Sequence, residues 1–232
     1  MTIKSVLFDA AGTLIKTAKP VGESYSAIAE THGVQVAPGE LAARFRTCFD
    51  RASPLAFPGV GAGAIRGMER NWWKELVRDV FSPFGAFAHF DACFDELFGY
   101  FARADSWKLY PEAVETLLSL RQRGLKLAVV SNFDSRLHNI LDGLGAASWF
   151  DGVFVSSTVG YAKPDRRIFE FVLKAQRLTA TNVLHVGDSI TNDIAGAANA
   201  GVKGILVDRK GSHNSDGIPR VVNLREILAH LE

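Results

Sequence analysis

Lys4 to Leu14 reads KSVLFDAAGTL: a short apolar run that stops at an aspartate and is followed by Gly12 and Thr13. Val6, Leu7 and Phe8 have the unbroken hydrophobicity of a strand buried on both faces, as in a parallel sheet covered by helices. Asp9 then emerges at the carboxyl end of that strand, where open parallel sheets place their ligands. This makes Asp9 the candidate nucleophile.

The same design returns in the second half of the chain. Helical segments at Glu112–Arg123, Asp134–Leu144, Asp165–Arg177 and Ile190–Ala200 alternate with apolar runs at Lys126–Val130, Gly152–Val155, Val183–Val186 and Gly204–Val207. A terminal helix is predicted over Leu224–Leu231. Strands separated by single helices imply right-handed crossovers and a doubly wound, Rossmann-like parallel sheet of the α/β class.

Between Leu14 and this repeat lie about 90 residues whose periodicity is helical throughout. Helices are expected at Ser24–His32, Gly39–Ala52, Met68–Phe81 and His89–Ala102, with a Gly- and Pro-rich loop from Ser53 to Gly67. Trp72, Trp73, Leu76 and Val80, and likewise Phe90, Phe94, Leu97 and Phe101, recur at three- and four-residue spacings that make one apolar helix face. The expected organisation is an α/β core of residues 1–14 and 107–232, interrupted by an all-α cap of residues 15–106.

Composition narrows the function. The 232 residues carry 26 basic and 25 acidic side chains, a net charge of +1, so no broad field attracts nucleic acid or an anionic membrane. No apolar run is long enough to span a bilayer, and the amino terminus lacks the pattern of a secretory signal. Two cysteines, Cys48 and Cys93, at no metal-type spacing fit a reduced, cytoplasmic setting. Oligomeric state cannot be read from the chain.

Three further strand ends carry polar groups. Ser131-Asn132 offers a hydroxyl and an amide for phosphate oxygens, or a cap for the next helix. Lys163, in the sequence YAKPD, can neutralise a phosphoryl group and a nearby carboxylate. Gly187 to Asp193, GDSITND, sets two carboxylates five residues apart, a pattern suited to Mg²⁺, which is held by few protein oxygens and keeps several waters. Asp193 serves there as a ligand or as a capping carboxylate behind one.

This set resembles the haloacid dehalogenase superfamily of hydrolases over the whole chain, the helical insertion included. The family's D-x-D-G-T motif is matched by Asp9-Ala10-Ala11-Gly12-Thr13, its Ser or Thr by Ser131, its Lys by Lys163-Pro164, and its G-D-x-x-x-x-D by Gly187-Asp188 with Asp193. The resemblance implies a Mg²⁺ held by Asp9, the backbone carbonyl of Ala11 and Asp188, with Asp193 nearby. It also implies Asp9 and Lys163 as catalytic groups, and Ser131, Asn132 and Thr13 as contacts to a small phosphorylated substrate.

One position departs from the pattern. Family phosphatases carry a second aspartate two residues after the nucleophile, to protonate the leaving oxygen; this chain has Ala11. Alkyl phosphate turnover is therefore expected to be weak, with acyl or aryl phosphates favoured. Two branches of the family also lack that acid. The 2-haloacid dehalogenases carry D-x-Y-G-T and need no metal; phosphonoacetaldehyde hydrolases carry D-x-A-G-T and a cap lysine, for which Lys74 is the candidate here. A non-catalytic binding or regulatory role is the alternative from outside enzymology.

Overall fold

The computed structural model describes residues 2–85, 87–211 and 217–231. A six-stranded sheet forms the centre: β1 (Ser5–Phe8), β4 (Lys126–Ser131), β5 (Gly152–Val155), β6 (Val183–Gly187), β7 (Lys203–Val207) and β8 (Arg220–Val221), in the spatial order β5-β4-β1-β6-β7-β8. Every neighbouring pair is parallel. The order reverses direction beside β1, so the crevice between the carboxyl ends of β1 and β6 is the switch point at which such sheets bind ligands.

Both faces of the sheet are covered, as the sequence of β1 demands. Val6 and Phe8 point into one core with Leu127, Val129, Leu184 and Val186, while Leu7 points into the other with Ala128, Val130, Ile168 and Phe169. This is the two-residue alternation of a strand, read by two separate apolar layers. Helices α5 (Ala113–Gln122), α6 (Arg136–Gly143), α8 (Arg166–Gln176) and α9 (Gly196–Asn199), with a short α7 (Ser156–Val159), flank the strands.

The insertion folds as α1 (Val21–Thr31), α2 (Pro38–Arg51), α3 (Ala62–Phe81) and α4 (Phe90–Tyr100) around a core of its own, built on Tyr25, Ile28, Leu41, Leu76, Val77, Val80, Phe94 and Leu97. Cys48 and Cys93 both lie there as free thiols. Among the described residues no helix is long and apolar enough to cross a membrane.

Several local expectations are corrected. Residues 15–17, expected in the all-α cap, are not helical, and residues 107–109, for which no element is predicted, form a strand. They pair as the antiparallel strands β2 (Ile15–Thr17) and β3 (Trp107–Leu109), which zip together the two chain passages between core and cap. Helix α3 begins at Ala62 rather than Met68, because burial of Ile65 and Glu69 offsets the poor propensity of Gly63 and Gly67. The segment 190–200 is a wide π-type turn over Ile190–Ala195 continued by α9, and the terminal helix over Leu224–His230 is of the tighter 3₁₀ kind.

Candidate functional site

Asp9 follows the last residue of β1, and its backbone N–H donates to the carbonyl of Val186 on β6 at 2.9 Å. That bond locks the carboxyl ends of the two central strands side by side, so Asp9 and the Gly187-Asp188 turn must share one crevice. The Asp9 side chain is buried; its Oδ1 accepts from Ser131 Oγ at 3.0 Å and from Lys163 Nζ at 2.7 Å. Its Oδ2 takes no hydrogen bond from the described residues and is the oxygen left for chemistry.

Lys163 is buried between two carboxylates. Besides Asp9, its Nζ donates to Asp193 Oδ1 at 2.5 Å. Burial works to lower the Lys163 pKa, but the charges of Asp193 and Asp9 outweigh it and the ammonium is held above its ordinary value. The loop that carries this lysine is pinned by the side-chain amide of Asn132. Asn132 Nδ2 donates to the Lys163 carbonyl at 2.8 Å and Asn132 Oδ1 accepts from the Lys163 N–H at 2.7 Å. Both ends of the Asn132 amide are thus spent on placing Lys163.

Asp193 is tied from three sides, by Lys163, by His185 Nε2 at 2.9 Å from Oδ1, and by the Ser189 N–H, which donates to Oδ2 at 3.0 Å. Burial opposes its ionisation, yet Lys163 and His185 hold it well below the usual carboxylate range. Asp188 has less support, from the more distant charge of Lys163 and a backbone hydrogen bond. Burial, then the charges of Asp9 and Asp193, push its carboxyl up to about 7. Asp9 is also raised, by burial first and then by Asp193, against the opposing pull of Lys163.

Ligand oxygens of Asp9, Asp188 and Asp193 all lie within 4.8 Å of one another. One lysine faces three acids, so the cluster is short of positive charge, and a hard divalent cation fits both the donor type and the deficit. With both Asp193 oxygens engaged by protein donors, Asp9 Oδ2 and Asp188 are the oxygens open to such an ion.

Around them is a cavity of about 440 Å³, lined by Asp9, Ala11, Ser131, Lys163 and Asp188 from the core and by residues of the cap. Its size falls in the range of small-molecule sites. Thr13 is not among the lining residues; it is fully buried behind the turn, with its hydroxyl unpartnered. Lys74 is not there either, being paired with the exposed Asp91 at 2.9 Å on the cap.

The sequence reading missed four contributors. His185 was hidden as one polar residue inside the buried run Val183–Val186, the only available signal being that imidazole itself. Phe49, Asp50 and Trp72 reach the cavity from the cap.

A family model described as haloacid dehalogenase-like hydrolase matches residues 3–201. The chain belongs to the haloacid dehalogenase-like hydrolases. It is 39% identical over 237 residues to the haloacid dehalogenase-like hydrolase domain-containing protein 3 of Mus musculus, covering all of this chain and 93% of that one. Among solved structures it is similar to the HAD-hydrolase YfnB of Bacillus subtilis bound to magnesium, with a TM-score of 0.76 and 19% identity, each chain covered in full. A 2-haloacid dehalogenase of Pseudomonas syringae is also similar, with a TM-score of 0.67 and 25% identity over 99% of this chain and 100% of that one.

Proposed function

We propose that this hydrolase is a Mg²⁺-dependent phosphatase of a small phosphorylated metabolite, working through an aspartyl phosphate on Asp9. The observation that carries the reading is the state of the Asp9 carboxylate. One oxygen is clamped by Lys163 and Ser131, the other is free, and Asp188 stands beside it in a carboxylate cluster deficient in cation.

Asp9 Oδ2 attacks phosphorus, the bond to the leaving oxygen breaks, and that oxygen departs with the electron pair. Water then attacks the phosphorus of the aspartyl phosphate, the bond from phosphorus to Asp9 Oδ2 breaks with its electron pair returning to the carboxylate, and the water's proton passes to solvent as phosphate leaves. Lys163 and the Ser131 hydroxyl meet the negative charge on the transferring group, and Asn132 keeps Lys163 in place. Asp9 and Asp188 would hold a Mg²⁺, with the Ala11 carbonyl as a further candidate ligand, and the ion would supply electrostatic neutralisation of the incoming phosphate. No side chain at position 11 can give the leaving oxygen a proton, so that proton comes from solvent.

The carboxylate cluster also weighs against halide displacement, which needs no metal and so no second open carboxylate such as Asp188 beside Asp9. The position of Lys74, paired with Asp91, weighs against Schiff-base chemistry.

The test is ¹⁹F NMR of the protein with beryllium fluoride and Mg²⁺. A slow-exchange fluoride resonance that vanishes in Asp9→Asn is the expected result. Its absence in the wild-type protein, together with no hydrolysis of any ester in a panel of phosphorylated metabolites, would overturn the reading.

A further inference from the structure

The cap side of the cavity has a definite chemistry. Phe49 is 41% exposed, a high value for so large an apolar side chain, and it lines the space above Asp9 together with Trp72. The two rings meet edge to face with centroids 6.1 Å apart. Trp72 has its one polar atom occupied, Nε1 donating to the Ser53 carbonyl at 2.9 Å, so towards the cavity it offers only an aromatic surface.

Between these rings in the sequence stands Asp50, exposed, lining the same cavity and making no hydrogen bond or ion pair among the described residues. It lies in the last turn of α2, where the helix dipole disfavours a carboxylate, so its position has no local stabilising cause. Among the described residues, the only cationic side chain in the cavity lining is Lys163, already committed to Asp9 and Asp193. Arg51, next to Asp50, is not in that lining; with Arg44 it lines an adjoining groove that shares Ala52, Ser53 and Trp72 with the cavity.

We infer that the cap selects substrates whose leaving group is an aromatic ring that is neutral or positively charged, and rejects those with a second negative charge. This rests on the phosphatase reading and adds to it the class of ester cleaved. An aryl body suits the Phe49 and Trp72 surfaces, a cationic substituent suits Asp50 through charge and through the ring faces, and an anionic one meets a bare carboxylate. An aryloxide also departs without the acid that Ala11 cannot supply.

The experiment compares phenyl phosphate, 4-(aminomethyl)phenyl phosphate and 4-carboxyphenyl phosphate, whose leaving oxygens are of similar basicity and whose remote charges differ. The expected order of kcat/KM is aminomethyl first, phenyl next and carboxyphenyl lower by roughly tenfold, from like-charge contact with Asp50. Asp50→Asn should shrink that spread to within roughly threefold, and Phe49→Ala should raise KM for all three esters. Binding of the three esters to Asp9→Asn, by calorimetry, reads the same ranking where turnover is slow. A flat or reversed ranking, or a spread unchanged in Asp50→Asn, would overturn the inference. Loss of the fluoride adduct at Asp9 would overturn the phosphatase reading instead, so the two failures are distinct.

Discussion

Gly12 packs against Asp188 so closely that a β-carbon added to it would lie 2.0 Å from Asp188 Oδ2. Its φ of +90° is also one that other residues adopt only under strain. The first motif thus makes room for the carboxylate of the fourth. Gly12→Ala is expected to push Asp188 away from Asp9 and to cost about 1–3 kcal/mol from backbone strain. Calorimetric titration should show Mg²⁺ binding weakened at least tenfold, with the fold intact by circular dichroism. Unchanged binding would mean that Asp188 does not hold the ion.

Crowding of carboxylates gives a pH signature. Asp188, near 7 in the folded chain against about 4 unfolded, holds its proton more tightly when folded. Its contribution to stability is therefore present in acid and is lost as pH rises from about 4 through 7. Asp193 has the opposite sign, being held low, but its window lies below that one. Protein freed of metal by EDTA should melt lower at pH 8 than at pH 5.5. Saturating Mg²⁺ replaces the lost proton, so it should raise Tm by more at pH 8, on the order of 5–10 °C when present at 100-fold its Kd. An equal Mg²⁺ effect at both pH values would sink this account.

These two cases mark what could be read from the chain. Asp9, Ser131 and Asp188 are legible because a doubly covered strand is a continuous apolar run, and the polar residue that ends or follows it must sit at the sheet's rim. Lys163 is legible only through its YAKPD setting: β5 ends at Val155 and α7 (Ser156–Val159) intervenes, so the lysine lies in a loop before α8 and not at a strand end. The β2–β3 ribbon escapes notice since three residues per strand carry no periodicity. Phe49, Asp50 and Trp72 escape for another reason. Helical spacing assigns a residue to a face but not the object it faces. Trp72 and Trp73 look alike in sequence, yet Trp73 Nε1 donates to Asp134 of the core at 2.6 Å, whereas Trp72 lines the cavity. Asn132 reads as a substrate contact because its amide suits phosphate, and only the fold reveals that the Lys163 backbone takes both ends of it.

A buried carboxylate ties the cap to the core. Glu69 of α3 accepts from the Ser135 N–H at 2.9 Å, from Ser135 Oγ at 2.5 Å and from Ser157 Oγ at 2.6 Å, all three donors belonging to the core. Glu69→Ala strands these donors, at about 1–3 kcal/mol for each one that stays buried. Urea unfolding should show a loss of several kcal/mol, and limited proteolysis should cut faster in the linker 53–61. A variant as stable and as resistant as the wild type would show that the cap is held by its other contacts with the core, such as Trp73 Nε1 to Asp134, without need of Glu69.

Ala11→Asp asks whether the acid is all that the site lacks. Ala11 lines the cavity beside Asp9, so a carboxylate there stands within reach of the leaving oxygen. Such a group contributes ~10²–10⁴-fold when it transfers a proton in the transition state. The gain should fall on alkyl phosphates, whose alkoxide is a poor leaving group, and far less on phenyl phosphate, whose phenoxide departs unaided. The ratio of the two kcat/KM values is therefore the quantity to measure, because a general change in folding or metal content moves both alike. A rise in the ratio of tenfold or more would assign the missing proton to position 11. A constant ratio would show that the lack of an acid at position 11 is not what limits alkyl esters.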